Sequence, residues 1–358
     1  MFSRINAKNF RGLRNATLQG LKRINIITGE NGCGKTSLLE AAFLLAGGAN
    51  ATLSVTLSGL RNDTSFSLGS DRIFKGLFRY LDPSLPIELE AEGDFRPKLK
   101  KTRRKLKITS IITPQEAPGS TAPTSKISGV KFEFDSPSGK EVGSVEWFAN
   151  GEATPVRQGG GLTLRPKLGS NPDLINGHFI SPFRALWDQA HKLLTDLTKQ
   201  NKVKDVIEHL RIVDSRLQNL LPLSEDEIKV IYADIGASSL VPVALQGSGF
   251  VNVLHIVLDS VSLVDGILII DEIEDGLHHT VIDKLIQFLF SVSVFNNLQI
   301  FVTTHSDEIL ERFALLAKAK QFDDLSLYRV VRTDEKEQIN CYSAEDLISS
   351  RETLIELR

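Results

Sequence analysis

The chain has 358 residues, 41% of them hydrophobic and 24% charged, an ordinary globular composition with ample material for a buried core. A net charge of −2 excludes a polycation drawn as a whole to nucleic acid, so any basic surface has to be local. The two cysteines, Cys33 and Cys341, lie far apart, which excludes a disulfide framework and suits a reducing cytoplasm.

The N-terminus, MFSRINAKNFRG, lacks the apolar core of a signal peptide. No run reaches the roughly 18 apolar residues that span a bilayer, so the expectation is a soluble, cytoplasmic chain with no membrane partner. Phe2 to Phe10 reads as a strand, and Leu21 to Ile27 as a short buried one. A glycine-rich turn follows, then a helix over Ser37 to Ala46 closed by Gly47 and Gly48. Residues 50–165 hold alternating segments such as Ile87 to Ala91 and Val130 to Phe134, separated by stretches dense in Pro, Gly, Ser and Thr. They predict antiparallel strands with one or two mobile loops. From Leu186 to Leu221 the pattern is helical, and Val206, Leu210, Val213, Leu217 and Leu220 recur at coiled-coil spacing. The run is too short for a sustained coiled coil, so a helical hairpin packed on its own domain is expected. Phe250 to Leu263 predicts a helix, Gly266 to Ile270 a buried strand, Val281 to Phe290 a helix and Leu298 to Val302 another buried strand. Such alternation means a parallel sheet covered by helices. Leu327 to Tyr342 reads as a hairpin turning at Asp334, Glu335 and Lys336.

Four segments carry chemistry. Gly29-Glu30-Asn31-Gly32-Cys33-Gly34-Lys35-Thr36 matches G-x-x-x-x-G-K-[ST], between a predicted strand and a predicted helix. Such a loop wraps phosphates so that successive backbone N–H groups point inward, and only glycine lets the backbone approach so closely. Gly29, Asn31, Gly32, Cys33, Gly34, Lys35, Thr36 and Ser37 are therefore the candidate nucleotide-binding set. Lys35 would sit on the β- and γ-phosphates, the Thr36 hydroxyl on Mg²⁺, and the helix would aim its positive end at the anion. In the second segment a buried strand delivers Asp271 and Glu272 to the carboxyl edge of the sheet, where such folds bind ligands. Asp271 would hold Mg²⁺ and Glu272 would polarise the attacking water. In the third, Thr303-Thr304-His305-Ser306, a neutral His305 could contact the γ-phosphate and sense its loss. The fourth, Gln246-Gly247-Ser248-Gly249-Phe250, opens a helix; by itself it reads as a helix N-terminus with a serine cap.

The four stand in the order of an ABC ATPase, and the chain resembles the RecF/SMC/OLD branch of that class. NFRGLRNATL with INIITGENGCGKTSLLEAAFLL is close to the branch's N-terminal pattern, while DEIEDGLHH and FVTTHSDEIL resemble the OLD-like AAA-type ATPases. The resemblance covers about residues 1–48 and 240–345. It implies ATP binding, Mg²⁺ dependence and a nucleotide-sandwich dimer, in which Ser248 and Gly249 would offer a hydroxyl and an N–H to the γ-phosphate held by a second subunit. It also implies a basic residue, here Arg11, near the nucleotide, and a D-loop at Glu274, Asp275 and His278. The chain departs from the pattern in places. Cys33 replaces the usual serine, which is read as exposing a thiol. Phe250 stands where transporter ATPases carry glutamine. The Q-loop glutamine has no clear position, Gln115 and Gln158 being the candidates. No TOPRIM nuclease follows the ATPase motifs, so a nuclease would be a separate chain. Residues 96–107 hold eight basic residues in twelve and no acid, which could track the phosphates of DNA or RNA.

The expected fold is α/β, an ABC-type P-loop domain with an antiparallel β subdomain and a short helical insertion. Residues 1–180 would form the P-loop half, with the β-rich insertion at about 50–165. Residues 181–240 would form the helical insertion, and 241–358 the signature half with its C-terminal hairpin. The expected function is an ATP-hydrolysing switch, OLD-like, serving as the sensor of a prokaryotic anti-phage defence system and controlling a separate nuclease or toxin. A RecF-like DNA-repair ATPase and an ATP-dependent assembly scaffold with little turnover are the competing readings.

Overall fold

A computed structural model of the chain describes residues 1–60, 70–94, 102–115, 124–149, 160–166, 172–182, 187–225, 228–333, 337–343, 345–346 and 349. The chain opens with strands β1 (Phe2–Phe10), β2 (Leu13–Gln19) and β3 (Ile24–Gly29), then helices α1 (Lys35–Gly47), α2 (Thr52–Leu60) and α3 (Ser70–Lys75). Strands β4 (Ile87–Gly93), β5 (Thr102–Gln115), β6 (Thr124–Ser136), β7 (Gly139–Ala149), β8 (Gly160–Pro166) and β9 (Gly177–Ile180) follow. Next come α4 (Trp187–Lys199), α5 (Val203–Leu210), β10 (Asn219–Glu225), β11 (Ile228–Asp234) and β12 (Val241–Pro242). The last third alternates: α6 (Ser248–Ser262), β13 (Ile267–Ile270), α7 (His279–Phe295), β14 (Gln299–Thr303), α8 (Asp307–Ala319), β15 (Leu325–Arg332) and β16 (Glu337–Tyr342). Among the described residues no helix is long and apolar enough to cross a membrane.

The chain divides into two compact units. The first contains Met1–Leu21, Glu30–Ile175 and Val330–Ile339. Its sheet runs β2-β1-β4-β5-β6-β7-β8, every neighbour antiparallel. The alternation in Ile87 to Gly93 is the period of a half-buried strand: Ile87, Leu89 and Ala91 face inward, Glu88, Glu90 and Glu92 outward. Helix α1 packs on β1, β4 and β5. The strands expected between 50 and 165 are present, but Thr52–Leu60 and Ser70–Lys75 are helical. In α2 the buried set Ser54, Leu57, Ser58 and Leu60 has helical spacing, and that burial overrides the strand preference of its Thr and Val.

The second unit contains Lys22–Gly29, Asn176–Arg329 and Asn340–Arg358. Its central sheet has the order β16-β15-β3-β14-β13-β9, with β3, β14, β13 and β9 mutually parallel neighbours. All four residues of β13 and all five of β14 are buried, as strands covered on both faces must be. Helix α6 packs on α4, α5, α7, β9 and β13 around a core that includes Val253, Leu254, Val257 and Leu258. The helical reading of 186–221 holds for α4 and α5 only. Leu217 lies past the helix, and Leu220 is on β10 of a second, three-stranded antiparallel sheet, β10-β11-β12. Pro222 is tolerated there because β10 is an edge strand. The C-terminal hairpin is present as β15 beside β16, while its turn at 334–336 lies outside the described residues.

Candidate active site

The chain leaves β3 at Gly29, which has φ 144, and turns through Gly32 at φ 76 and Gly34 at φ 109. These backbone conformations are the reason for the glycine spacing, since L-residues rarely adopt them. Gly34 caps α1, and a Cβ there would come within 2.6 Å of Leu13 Cδ2. Among the described residues no side chain caps α1 and no acid stands in its first turn, so the helix start keeps its positive character. Lys35 is buried, and its Nζ donates to the Glu30 carbonyl at 3.0 Å across the loop. Ser37 is also buried, Thr36 half-buried, and Asn31 and Gly32 are exposed. Cys33 is 3% exposed, so the thiol is inside the loop and not presented to solvent. Burial pushes it above the usual thiol range, and the Lys35 ammonium pulls it partly back.

Arg11 has a left-handed backbone, φ 52. Its guanidinium meets Glu40 of α1, Nε to Oε2 at 2.6 Å, and donates to the Gly76 carbonyl at 3.0 Å. Arg11 therefore anchors the helix that carries Lys35 and Thr36. Sequence reasoning missed Glu40, although an acid inside the apolar run LLEAAFLL was a signal for a buried partner.

In the second unit, β13 ends at Asp271, which is 4% exposed, and Glu272, which has the left-handed φ of 54. Thr303, at the end of the neighbouring β14, holds both. Its Oγ1 donates to Asp271 Oδ1 at 2.5 Å and accepts from the Glu272 N–H at 2.8 Å, while its carbonyl accepts from the Ile273 N–H at 3.1 Å. The left-handed turn at Glu272 sends the two adjacent acids different ways. Glu272 Oε1 then lies 3.5 Å from His305 Nε2, both side chains about one-third exposed. Glu274 accepts the His305 backbone N–H at 2.6 Å. Thr303 and Glu274 are thus positioning groups whose roles were not read from the sequence.

Ser248 and Gly249 begin α6 beneath the loop that follows Glu272. A Cβ at Gly249 would meet the Gly276 carbonyl at 2.3 Å, and one at Gly276 would meet Ser248 Oγ at 2.6 Å. Asn252 Nδ2 donates to the Asp275 carbonyl at 2.6 Å. Ser248 starts the helix without capping it; the N-cap is Gly247, with no side-chain cap bond. His278 caps α7 and contacts Thr280 Oγ1 at 3.0 Å. Of the glutamines proposed for a Q-loop, Gln115 closes β5 of the antiparallel sheet, and Gln158 lies outside the described residues.

The described half of the basic run is not one cationic surface. Arg104 is fully buried against the Phe2 ring at 6.0 Å, because β5 alternates and 104, 106 and 108 point inward. Outward-facing Arg103 and Lys105 both pair with Glu90, and Lys107 stands opposite Glu88 and Glu133. Residues 96–101 lie outside the described residues.

A family model described as "AAA domain" matches residues 4–230, and one described as "AAA domain, putative AbiEii toxin, Type IV TA system" matches residues 178–311. Along 97% of its length the chain is 24% identical to a Helicobacter pylori protein named ATP/GTP phosphatase, covering 97% of that protein. It is 36% identical over 120 residues, 32% of each chain, to the DNA replication and repair protein RecF of Shewanella frigidimarina. In fold it is similar to an Smc head solved bound to the C-winged helix domain of ScpA, at a TM-score of 0.52 and 12% identity over 97% of this chain and 99% of that one. With the loop at 29–36 and the paired acids at 271–272, these matches identify the chain: it belongs to the AAA domain family and is a P-loop ATPase, with a mixed α/β fold like that of SMC heads.

Proposed function

We propose that the chain hydrolyses ATP as a switch, with Lys35 on the β- and γ-phosphates and Glu272 as the carboxylate that activates water. The reading rests most on Glu272, whose strained backbone and 3.5 Å approach to His305 set a carboxylate and an imidazole at the carboxyl ends of two neighbouring strands, β13 and β14. The Thr36 hydroxyl and the Asp271 carboxylate are hard oxygen donors of the kind Mg²⁺ takes. When bound, Mg²⁺ neutralises charge on the β- and γ-phosphate oxygens. Glu272 orients the water and accepts its proton as the water oxygen bonds to the γ-phosphorus and the bond to the ADP oxygen breaks. His305 contacts the γ-phosphate and responds to its departure. Ser248 and Gly249 serve the nucleotide of a second copy, giving a sandwich dimer. The P-loop half at 1–180, the insertion at 181–240, helical only in its first part, and the signature half at 241–358 are the working parts of this switch.

Its place in the cell is read as the OLD-like sensor component of a prokaryotic anti-phage defence system with a separate effector. The toxin–antitoxin description of the model matching residues 178–311 favours that reading. The name of the Helicobacter relative, ATP/GTP phosphatase, adds GTP as a second substrate. A RecF-like role in DNA repair is supported by the RecF similarity over 120 residues. DNA binding that needs ATP and weakens steeply with salt would decide for it.

The test of the chemistry is Glu272→Gln, which keeps shape and removes charge. Hydrolysis should slow at least about tenfold, about 1.4 kcal/mol on the barrier, with ATP affinity retained. A wild-type rate would remove Glu272 from the role and pass it to Glu274.

A further inference from the structure

Helix α6 buries two ionisable side chains one turn apart, His255 at 7% exposure and Asp259 at 5%, and neither takes part in the nucleotide chemistry. The Asp259 carboxylate joins α6 to two other elements. Gln189 of α4 donates from Nε2 to its Oδ1 at 3.1 Å, and Nδ1 of His178 on β9 approaches the same oxygen to 2.7 Å. The His178 contact is close without being an aligned hydrogen bond, which leaves it open to displacement by a second cation. His255 lacks a comparable contact. Its Nε2 has no hydrogen-bond partner among the described residues, and its ring meets Trp187 edge-on, centroids 5.6 Å apart. Burial lowers the pKa of His255, with Asp259 opposing. The elements packed on α6 turn their other ionisable groups elsewhere. Strand β13 is wholly apolar, and the turn at 243–245 carries none. Asp188 of α4 pairs with Lys229, His209 of α5 packs on Phe288 of α7, and Asp283 of α7 pairs with Arg312.

Strand β9 is a four-residue edge strand bonded to β13 alone. At its end the Ile180 carbonyl accepts the Asp271 N–H at 3.0 Å, so whatever loosens β9 reaches the backbone of Asp271. We propose that Asp259 is the moving part of a proton-sensitive joint: when His255 takes up a proton, the carboxylate leaves His178 and Gln189, pairs with the imidazolium one turn back on α6, releases β9 and slows hydrolysis. One carboxylate oxygen carries both present contacts, so it cannot keep them and also close on His255. One proton taken up thus selects between two discrete arrangements. The slowing of hydrolysis rests on Asp271 serving the nucleotide; the exchange of partners does not.

The experiment titrates the full chain. In a Trp147→Phe background the fluorescence reports Trp187, and an imidazolium against the indole quenches it. Intensity should fall in one step centred below about pH 6.5, the ordinary histidine value. His255→Phe should abolish the step, and so should His255→Gln, which keeps a polar group and takes no proton. Asp259→Asn should move the step down by about one pH unit or more, because it removes the charge that favours the imidazolium. Hydrogen exchange over 176–182 should be at least about threefold faster in wild type than in His255→Phe at about pH 5.5 and equal at about pH 7.5. Exchange over β14 should match in the two chains, which separates local release from unfolding. The ratio of wild-type to His255→Phe turnover should fall at least about threefold between the same two pH values. A fluorescence step that survives both His255 variants overturns the proposal, as does equal exchange over 176–182 at the lower pH. Local release with a flat turnover ratio overturns the effect on hydrolysis. A chain without ATPase activity sinks the ATPase reading alone, while fluorescence and exchange still decide the joint.

Discussion

Thr303 contributes one buried hydroxyl and uses it twice, as donor to Asp271 and as acceptor for the Glu272 N–H. Valine has nearly the same shape and neither capacity. In Thr303→Val the buried Asp271 loses a donor and the left-handed Glu272 loses its tether, each a loss of about 1–3 kcal/mol when the partner stays buried. The Glu272 carboxylate should then be held less tightly where it meets water. Steady-state ATPase assays should show kcat falling about tenfold, about 1.4 kcal/mol on the barrier, with KM for ATP little changed. Thr303→Ser keeps the hydroxyl and should recover most of the rate. On a Glu272→Gln background Thr303→Val should add little, because the two residues act as a unit. Equal fractional losses in both backgrounds would show that Thr303 acts elsewhere. The placement of the motif residues was legible because local geometry and pattern fix it: glycines where φ is positive, a lysine opening the helix after them, acids at a strand end. Thr303 with Asp271, Arg11 with Glu40 and Ser248 with Gly276 were not, because each pair joins positions far apart in the chain and neither partner is unusual in its own segment.

Helix α6 shows the same division for whole elements. Its apolar run made it readable, as did those of β3, β13 and β14, since strands and helices buried on several sides leave little ambiguity of period. Leu217 and Leu220 misled because a coiled-coil spacing was carried past the end of α5 into β10, where tertiary burial and not helical period places them. The basic run misled because charge was counted without the two-residue period that turns Arg104 inward. Helix α6 also carries His255, 7% exposed, its ring 5.6 Å from that of Trp187, and its Nε2 has no hydrogen-bond partner among the described residues. Burial holds His255 below the ordinary histidine pKa, with Asp259 opposing. The unfolded chain therefore takes up this proton at a higher pH than the folded one. The stabilising effect of the neutral ring is full above about pH 6.5 and is lost as pH falls toward the folded pKa. Denaturant midpoints should drop between about pH 7.5 and 5.5, and His255→Phe should flatten that slope. His209, also lowered chiefly by burial and packed 4.4 Å from Phe288, acts in the same direction, so part of the slope should remain. An unaltered slope in His255→Phe would mean that the ring takes up its proton at the same pH in the folded and the unfolded chain.

At the scale of the whole molecule, the proposed sandwich makes a prediction that no single-chain reading of the site makes. Ser248 is exposed at the start of α6, while its neighbour Gly249 is pressed against the Gly276 carbonyl in the loop that follows Glu272. An exposed serine at such a seat, its hydroxyl beside Gly276, can serve a nucleotide bound to another copy. In a twofold dimer each composite site then takes Lys35 from one chain and Ser248 from the other. Lys35→Ala and Ser248→Arg should each be inactive alone, the first for want of charge on the phosphates, the second by placing a bulky cation where the γ-phosphate would approach. In a mixed dimer one site collects both lesions and the other collects none. Random pairing at equal concentrations should therefore return roughly a quarter of wild-type turnover. Two affinity tags, one on each variant, isolate the mixed species, and its rate per dimer should reach about half that of wild type by the same symmetry. Sites that draw Lys35 and Ser248 from the same chain give no recovery at any mixing ratio, because every site then carries one lesion or the other. Absence of ATPase in the doubly tagged dimer would therefore rule out independent composite sites, and recovery near half would place Ser248 across the interface from the Lys35 it serves.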